Sequence, residues 1–503
     1  MLTASQLPMI IQGGMGVAVS SWPLARAVAR CGQLGVVSGT ALDLVLARRL
    51  QDGDEGGHLR RALAHFPDQD VVTRALDRYF LEGGRAPGES YAPLLKLTLM
   101  PTRSVQELVI LGGFAEVWLA KEGHAGPIGI NCLEKIQLAT PATIYGAMLA
   151  GVDVVLMGAG VPRAIPHLLD ELAIHATVQF PIDVADAGDS EHHLDFAPRE
   201  LVDSGTPALQ RPVFIAIVSA HALATYLARD PQIRPDGFVV EAPNAGGHNA
   251  PPRQRVIDDQ GDLVFGPRDE PDLAKIAMAG LPYWIAGGSG TPETLAAAVG
   301  GGAHGIQVGT VFALSSDSGL DPDVRDQLRE GIRTDSLVVH TDPVASPTGF
   351  PFKVVEVDGT MSDDTNYQAR ERLCDLGFLR TPYIKATATP GSAARPGSDE
   401  ESPAAGTRSI GYRCAGEPEH MFVRKGGEAD DAVGRKCLCN GLAAAVGLGQ
   451  QRPDGYVELP IVTLGSDLQA PRRMLADHPQ GWTAAEAIEW ILGSMVPASS
   501  GPS

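Results

Sequence analysis

The stretch Ala245-Gly246-Gly247-His248 combines residue types that suit acid–base chemistry beside a bound phosphate. It follows an apolar run, residues 237–241, which predicts a buried strand. Glycines have no Cβ, so their backbone N–H groups can approach a phosphate closely. A histidine directly after them can carry protons near neutral pH. The segment therefore predicts a cofactor site with His248 as the catalytic residue at its edge.

Other glycine clusters also follow apolar runs, and they extend this prediction. They include Gly13, Gly14 and Met15 near the N-terminus, Gly287 and Gly288, and Gly309 with Thr310. Glycine-rich ends on the last two strands of a barrel are a frequent phosphate site, and Thr310 adds a hydroxyl donor. None of these loops is a Walker A motif or a clean GxGxxG fingerprint. The glycines favour a phosphate-bearing cofactor without naming it.

The elements that must position these residues are eight short apolar runs: residues 9–14, 34–39, 127–131, 152–158, 213–219, 238–241, 283–288 and 305–310. Near-continuous apolar character is typical of parallel strands covered on both faces. Helical spacing appears between several of them, for example over residues 22–31 and 292–299. Eight such units predict an α/β fold of the (β/α)8 TIM barrel type rather than an open doubly wound sheet. The active site is then expected at the carboxyl ends of the strands.

Spacing and composition also predict the domain organisation. Residues 1–335 form the barrel, with a long insertion after the second strand at about 40–126 that includes a helix over 105–121 and forms a lid or an interface. Residues 336–384 are a barrel-associated extension, and 385–409, rich in Ala, Pro, Gly and Ser, a flexible linker. Residues 410–503 are a cysteine-containing C-terminal segment with a helix over 482–495.

Bulk properties exclude several classes of protein. The formal net charge of −20 argues against a general nucleic-acid binder, which needs a basic face. The most apolar long stretch, residues 144–161, carries Asp153 and several glycines, so a helix followed by a buried strand is favoured over a membrane span. The N-terminus lacks the basic region of a signal peptide. Six cysteines among 503 residues do not make a disulfide framework, and we expect a cytoplasmic protein.

Four of the cysteines lie in the C-terminal third, at Cys374, Cys414, Cys437 and Cys439. Four thiolates could bind zinc or an iron–sulfur cluster. Cys-x-Cys differs from the usual Cys-x2-Cys spacing, so buried free thiols are the preferred interpretation and no metal is predicted. Cys31 and Cys132 are expected in the core, Cys132 at a strand end beside Asn131.

Six motifs occur in the order that one known family shows: residues 8–15, 34–39, 129–131, 246–248, 285–288 and 305–310. On these motifs, which span roughly residues 8–315, the chain resembles the FMN-dependent barrel family of nitronate monooxygenases, formerly called 2-nitropropane dioxygenases. The same family includes the flavin-containing enoyl-acyl-carrier-protein reductases. The resemblance implies a barrel that binds FMN non-covalently.

The resemblance also assigns roles. The loop from Gly13 to Met15 and Asn131 would border the isoalloxazine ring, and His248 would be the catalytic histidine. The ribityl phosphate end would be held by a set of mostly glycine residues: Gly246, Gly247, Gly288, Gln307, Gly309 and Thr310. Gly287 and Ser219 complete the predicted cofactor-binding set.

One position departs from the family. Many monooxygenases carry Glu-Ala-Gly-Gly-His, whereas Asn244 takes the place of that glutamate and Glu241 lies three residues earlier. This Val-Glu-Ala lead-in is similar to trans-acting enoyl reductases of polyketide and polyunsaturated fatty-acid assembly. The departure leaves the substrate open, but not the flavin.

Three functions follow from these observations. The leading hypothesis is nitronate monooxygenase-like oxidation of alkyl nitronates with O2. The first alternative is an NAD(P)H-dependent enoyl-thioester reductase, with NAD(P)H as co-substrate. The second is a flavin-free scaffold in a biosynthetic assembly. The expected partners are a small-molecule substrate and either an acyl-carrier protein or further copies of the chain, with no nucleic acid and no membrane.

Overall fold

The computed structural model describes residues 2–202, 205, 207–371, 373–385 and 409–493. Its strands are β1 (Ile10–Gln12), β2 (Gly35–Ser38), β3 (Ile128–Leu133), β4 (Val154–Gly158), β5 (Val178–Pro181), β6 (His193–Phe196), β7 (Val213–Val218), β8 (Gly237–Glu241), β9 (Tyr283–Ala286), β10 (Gly305–Val308), β11 (Val339–Asp342), β12 (Phe352–Val355), β13 (Thr381–Ile384) and β14 (Ile410–Arg413).

The helices are α1 (Trp22–Arg30), α2 (Leu42–Gln51), α3 (His58–Leu63), α4 (Gln69–Tyr79), α5 (Arg103–Lys121), α6 (Thr140–Leu149), α7 (Ile165–Ala173), α8 (Pro198–Leu201), α9 (His221–Arg229), α10 (Leu273–Ala277), α11 (Pro292–Gly300), α12 (Thr310–Ala313), α13 (Pro322–Arg333), α14 (Asp364–Ala369), α15 (Glu419–Arg424), α16 (Leu438–Ala444), α17 (Gln469–Asp477) and α18 (Ala484–Leu492). Four 3-10 helices add Ala4–Gln6, Glu55–Gly57, Gln137–Ala139 and Ala429–Ala432.

Eight parallel strands close into the predicted (β/α)8 barrel. Their order is β1-β10-β9-β8-β7-β4-β3-β2. Leu34 closes the ring between β2 and β1, because its backbone bridges Ile11 and exchanges hydrogen bonds with Ile10 and Gln12 at 3.1 and 3.0 Å. Each of the eight apolar runs overlaps one of these strands, so the predicted fold class is confirmed.

Inward-facing side chains alternate with outward-facing ones along each strand. Ile11, Val36, Leu156, Ile215 and Trp284 belong to a separate apolar cluster that fills the barrel interior. The outward-facing residues pack in a much larger cluster against the surrounding helices. At the carboxyl ends of the strands, the inward-facing positions therefore line the mouth of the barrel.

The predicted insertion supplies the second helix of the barrel. Helix α5 is buried along most of its length and packs against α1, α2 and α6. Its contact with α6 is close because both helices carry glycine there: a Cβ on Gly146 would lie 2.0 Å from the Ile110 carbonyl oxygen. Helices α2 to α4 are additional to the barrel. The loop after α4 contacts the C-terminal part of the chain, where Tyr91 N–H donates to Gln450 at 2.9 Å.

The chain after residue 335, here called the C-terminal region, packs on the mouth of the barrel. This region consists of two antiparallel strand pairs, β11–β12 and β13–β14, and of helices α14 to α18. The predicted C-terminal helix corresponds to α18, and residues 494–503 lie outside the described residues. The predicted linker at 385–409 lies mostly outside them too, since residues 386–408 are not described. No helix in the described ranges has both the length and the apolar character needed to cross a membrane.

Candidate active site

Two adjoining cavities occupy the mouth of the barrel under the C-terminal region. One, the polar cavity, has a volume of about 160 Å³ and lies over β1, β9 and β10. The other, the apolar cavity, has a volume of about 150 Å³ and lies over β2, β3, β4 and β8. Gly14, Asn131, Glu241, Gly246 and Gly247 line both cavities. A molecule in one cavity would therefore touch a molecule in the other.

The polar cavity brings together most of the predicted cofactor-binding residues from five separate parts of the chain. Lining it are Gly13, Gly14, Met15, Asn131, Gly246, Gly247, Gly287, Gly288, Gln307, Gly309 and Thr310. Ser219 is the exception. It follows β7 and lines a third cavity of about 230 Å³, here called the outer cavity, together with His221, Arg253 and Arg268.

Three buried amide oxygens in the polar cavity have no hydrogen-bond partner within the described chain: Asn131 Oδ1, Asn244 Oδ1 and Gln307 Oε1. A buried acceptor without a partner costs free energy, so such groups usually face a ligand or water. All three residues line the polar cavity. Unpaired acceptors suit a ligand that carries hydroxyl and N–H groups, as the ribityl chain and ring of FMN do.

The loop after β9 supplies the complementary donors. The backbone N–H groups of Gly288, Ser289 and Gly290 have no acceptor among the described residues. Gly288 has a positive φ of 62°, and a Cβ there would lie 2.6 Å from Asp467 Oδ2. Helix α11 begins just beyond, capped by Thr291, so its positive dipole end faces the same loop. Free amides at a helix N-terminus suit a phosphate group.

The C-terminal region contributes a part of the polar cavity that sequence reasoning missed. Thr463 Oγ1 accepts from the Gly247 N–H at 2.8 Å, and the Gly465 N–H donates to Thr310 Oγ1 at 3.1 Å. Asp467 also lines this cavity and brings a carboxylate close to Gly288. Nothing in the local sequence of 463–467 marks it as a site, because its role depends on packing against loops more than 150 residues away.

His248 lies in the apolar cavity, where its ring is held on two sides. Its Nε2 forms a 2.7 Å hydrogen bond with Ser346 Oγ, which is in turn 2.8 Å from Thr348 Oγ1. The ring contacts Phe352 edge-on, with centroids 4.9 Å apart. Burial, with a smaller effect of the Lys135 charge, lowers the pKa of His248 to about 3. The imidazole is therefore neutral at physiological pH, and its basicity is weak.

Glu241 is the residue of this site that sequence reasoning did not assign. It ends β8 with its side chain facing inward, two residues after the inward-facing Val239. Its carboxyl group has no hydrogen-bond or ion-pair partner among the described residues. Burial raises the pKa of Glu241 to about 7. The alternation of inward and outward positions along β8 was the signal that could have identified it.

The remaining wall of the apolar cavity is hydrocarbon. The barrel contributes Leu133, Ile136 and Ile217, and the C-terminal region contributes Phe352, Phe378, Leu379, Leu438 and Leu442. None of the described lining residues is Lys or Arg. The cavity therefore suits an uncharged substrate with an apolar portion, because an anion would contact no cationic side chain, and Lys135 lies behind the lining at the Ala159 carbonyl.

The cysteines are free thiols in the described chain. Burial raises the pKa of Cys132 to about 12 and that of Cys437 to about 11, and it also raises the pKa values of Cys374, Cys414 and Cys439. Within the described ranges, no group of three or more His, Cys, Asp or Glu side chains is arranged to hold a metal ion. Cys132 and Cys439 do line the apolar cavity.

A comparison with protein-family models matches residues 196–344 to the nitronate monooxygenase family. The match confirms the family resemblance that the motifs predicted, over a segment that includes β7 to β10 and His248. No curated protein matches the chain.

Solved structures with a similar arrangement include a nitroalkane oxidase from Streptomyces ansochromogenes, at 14% identity and a TM-score of 0.41, covering 96% of this chain and 94% of that one. FabK from Thermotoga maritima is 18% identical with a TM-score of 0.36, covering 70% and 72%. The enoyl reductase domain of MlnA from Bacillus amyloliquefaciens is 16% identical with a TM-score of 0.38, covering 72% and 68%.

Proposed function

We propose, on the premise of the nitronate monooxygenase match across residues 196–344, that this chain is an FMN-dependent oxidoreductase that oxidises alkyl nitronates with O2. The observation that carries the proposal is the pair of adjoining cavities. One is lined with unpaired amide oxygens and free backbone N–H groups, and the other is apolar with a histidine and a carboxyl group. Such a pair suits a redox cofactor placed against a small organic substrate.

The polar cavity would hold FMN through the chain's own groups. Asn131, Asn244 and Gln307 would accept hydrogen bonds from the ring and the ribityl hydroxyls, and the amides of Gly288 to Gly290 would donate to the phosphate. Bound FMN would supply the electron acceptor for the substrate and the means of returning electrons to O2. No described Lys or Arg lines this cavity, so the phosphate depends on backbone donors.

His248 would orient the substrate in the apolar cavity. Its ring is fixed by Ser346 and Phe352, so the remaining ring nitrogen has a defined direction. A neutral imidazole can donate a hydrogen bond from its N–H to a nitro oxygen without placing a charge in the cavity. The C-terminal region covers the site with Phe378, Leu438 and Leu442, which limits the access of water to the reacting atoms.

The test begins with the colour of the purified protein. We expect a flavin absorption spectrum, FMN rather than FAD on release, bleaching on anaerobic mixing with ethyl nitronate, and recovery on admission of O2. His248→Asn should retain bound FMN but lose about 10²- to 10⁴-fold in turnover, the usual value of acid–base or orienting help. Unchanged turnover of His248→Asn would remove this residue from the mechanism.

A second candidate function is an NAD(P)H-dependent enoyl-thioester reductase. The observation in its favour is the hydrocarbon wall of the apolar cavity, which lacks a cation for an anionic nitronate and would accept an acyl chain. Here the substrate would come from an acyl-carrier protein. Rapid bleaching by NADPH, with no bleaching by a nitronate, would favour this function over the first. A colourless protein that cannot be reconstituted with FMN would instead support a flavin-free scaffold.

A further inference from the structure

Glu241 occupies a position that no other described residue shares. It lines the apolar cavity beside His248, the polar cavity beside Asn131, and the outer cavity beside His221. Exposed residues, among them Arg253 and Arg268, line the outer cavity, so it reaches the surface. Glu241 thus lies between the two inner cavities and the outer cavity.

A free carboxyl group in such a place needs a reason, because burying an ionisable group without partners destabilises the folded chain. Other buried carboxylates of this protein form ion pairs: Glu458 holds Arg370 through bonds of 2.6 and 2.8 Å, and Glu107 holds Arg74. Glu241 has no such partner in the described chain. Unpaired titratable groups in clefts are candidates for catalysis.

We propose that the substrate enters as a neutral nitroalkane and that Glu241 is the base that converts it to the nitronate inside the apolar cavity. This inference rests on the proposed function and names its substrate class. The α-carbon C–H bond breaks, an O–H bond forms on the Glu241 carboxylate, and the electron pair stays on the nitronate. The carboxyl proton then leaves through the outer cavity to solvent, which regenerates the carboxylate.

The charges of the two cavities agree with this order of events. A neutral nitroalkane enters the apolar cavity without a desolvation penalty for an anion, whereas a preformed nitronate would meet a wall without Lys or Arg. Proton transfer moves the negative charge from the carboxylate to the substrate, so the total charge of the site does not change. His248 is the weaker base, since its pKa is about 3 whereas that of Glu241 is about 7.

Other titratable groups face Glu241 from the surrounding elements. In the two inner cavities they are Cys132, His248, Cys439 and Asp467. In the outer cavity they are His221, Arg253, Arg268, Asp269 and Glu270. The cysteine thiols stay protonated and His248 stays neutral near pH 7, so Glu241 is the lining residue of the apolar cavity whose charge changes there. Lys135 lies behind the lining, where it donates to the Ala159 carbonyl, and burial lowers its pKa to about 8.

The experiment measures proton abstraction separately from oxidation. The purified protein is mixed anaerobically with nitroethane in D2O, and ¹H NMR follows the exchange of the α-protons for deuterium. We expect catalysed exchange by the wild type, at a rate that rises with pH through about 7 and then levels off. Glu241→Gln should lose about 10²- to 10⁴-fold of this rate, and its remaining rate should not show that pH dependence.

Two comparisons make the result specific. Glu270→Gln removes a carboxyl group that lines only the outer cavity, and it should exchange protons like the wild type. In aerobic turnover, Glu241→Gln should lose far more activity on freshly dissolved nitroethane than on preformed ethyl nitronate. Equal exchange by Glu241→Gln and wild type, or equal losses on both substrates, would overturn the role of Glu241 as the base.

The two proposals fail in distinguishable ways. If the wild type exchanges the α-protons of nitroethane but oxidises neither nitroethane nor its nitronate, the proposed function is wrong. The assignment of Glu241 as the base then still stands. If the wild type oxidises the nitronate but neither exchanges nor oxidises neutral nitroethane, the proposed function stands and this inference is wrong.

Discussion

At the scale of single residues, the site combines a weak base and a strong one in one apolar cavity. His248 is buried against Phe352 and hydrogen-bonded to Ser346, which suits orientation rather than proton abstraction. Glu241 is unpaired and inward-facing at the end of β8. The physical cause of both pKa shifts is the same, since burial disfavours the charged form of either group. Burial weakens the histidine as a base and strengthens the carboxylate.

The Glu241 pKa has a consequence for stability. The pKa of Glu241 rises from 4.5 to about 7 on folding, so between these pH values the folded state binds more protons than the unfolded state. The free energy of unfolding therefore falls as pH rises through this window, by roughly 3 kcal/mol at about 1.4 kcal/mol per pKa unit. Glu241→Gln has no such loss. Urea unfolding of flavin-free protein should show the variant gaining stability relative to wild type between pH 5 and pH 8.

Other carboxyl groups titrate in both proteins and cancel in this difference. Glu270→Gln serves as the control, because it removes a carboxyl group that is exposed to solvent, and its difference from wild type should not vary with pH. A pH-independent difference for Glu241→Gln would mean that the carboxyl group is hydrated and paired in solution.

At the scale of elements, the loop from β9 to α11 presents the cavity with free amides because its glycines adopt a left-handed backbone. Gly287 and Gly288 have φ values of 94° and 62°, a region that favours glycine. This turn aims the amides of residues 288–290 at the polar cavity just ahead of the α11 N-terminus. We therefore expect cofactor affinity to depend most directly on this loop.

Gly288→Ala tests that dependence. A Cβ there would lie 2.6 Å from Asp467 Oδ2 and 2.7 Å from Asn244 Nδ2, so both cavity residues must shift. Gly280→Ala is the matched control, since Gly280 has a similar φ of 68° but no atom within 4 Å of the added Cβ. Both variants should lose about 1 kcal/mol of stability from the backbone strain. We expect Gly288→Ala alone to weaken flavin binding, by tenfold or more in a fluorescence titration.

Equal flavin affinity of the two glycine variants would separate this loop from the cofactor. A large loss of folded protein in Gly288→Ala but not in Gly280→Ala would instead indicate a packing role for the Asp467 contact.

At the scale of the whole molecule, the site is complete only when the C-terminal region covers the barrel. That region supplies Thr463 and Asp467 to the polar cavity and most of the aromatic and leucine wall of the apolar cavity. The ion pair between Arg370 and Glu458 lies inside it, with exposed side-chain fractions of 2% and 3%. This pair connects the chain before the segment 386–408 with the chain after it.

Arg370→Met should therefore destabilise the covering region. Breaking one partner of a buried pair leaves an uncompensated charge and costs about 3–5 kcal/mol. Arg472→Met breaks an ion pair with Asp335 whose side chains are 52% and 78% exposed, so its cost should stay below about 1 kcal/mol. Thermal unfolding followed by circular dichroism and by flavin fluorescence should show earlier flavin release for Arg370→Met.

Similar behaviour of the two arginine variants would mean that the pair does not hold the covering region in place. Loss of stability in Arg370→Met without earlier flavin release would mean that the barrel alone retains the cofactor.

The sequence alone determined the barrel and the location of its mouth. Continuous apolar runs for strands buried on both faces, with glycine or polar residues at their carboxyl ends, are local signals, and they identified all eight barrel strands. The order of the glycine motifs then indicated the family. These features can be recognised in the sequence because each depends on neighbours a few residues away along the chain.

Only the tertiary structure decided what covers the mouth and which acid–base group faces it. The long insertion was predicted to be a lid or an interface, yet its helix α5 packs into the barrel wall between α1 and α6. Thr463 and Asp467 reach the site by contacts with residues more than 150 positions away. Glu241 stands out because no described group forms a hydrogen bond or ion pair with it, and an unpaired carboxyl group is a property of the assembled cavity that no stretch of sequence displays.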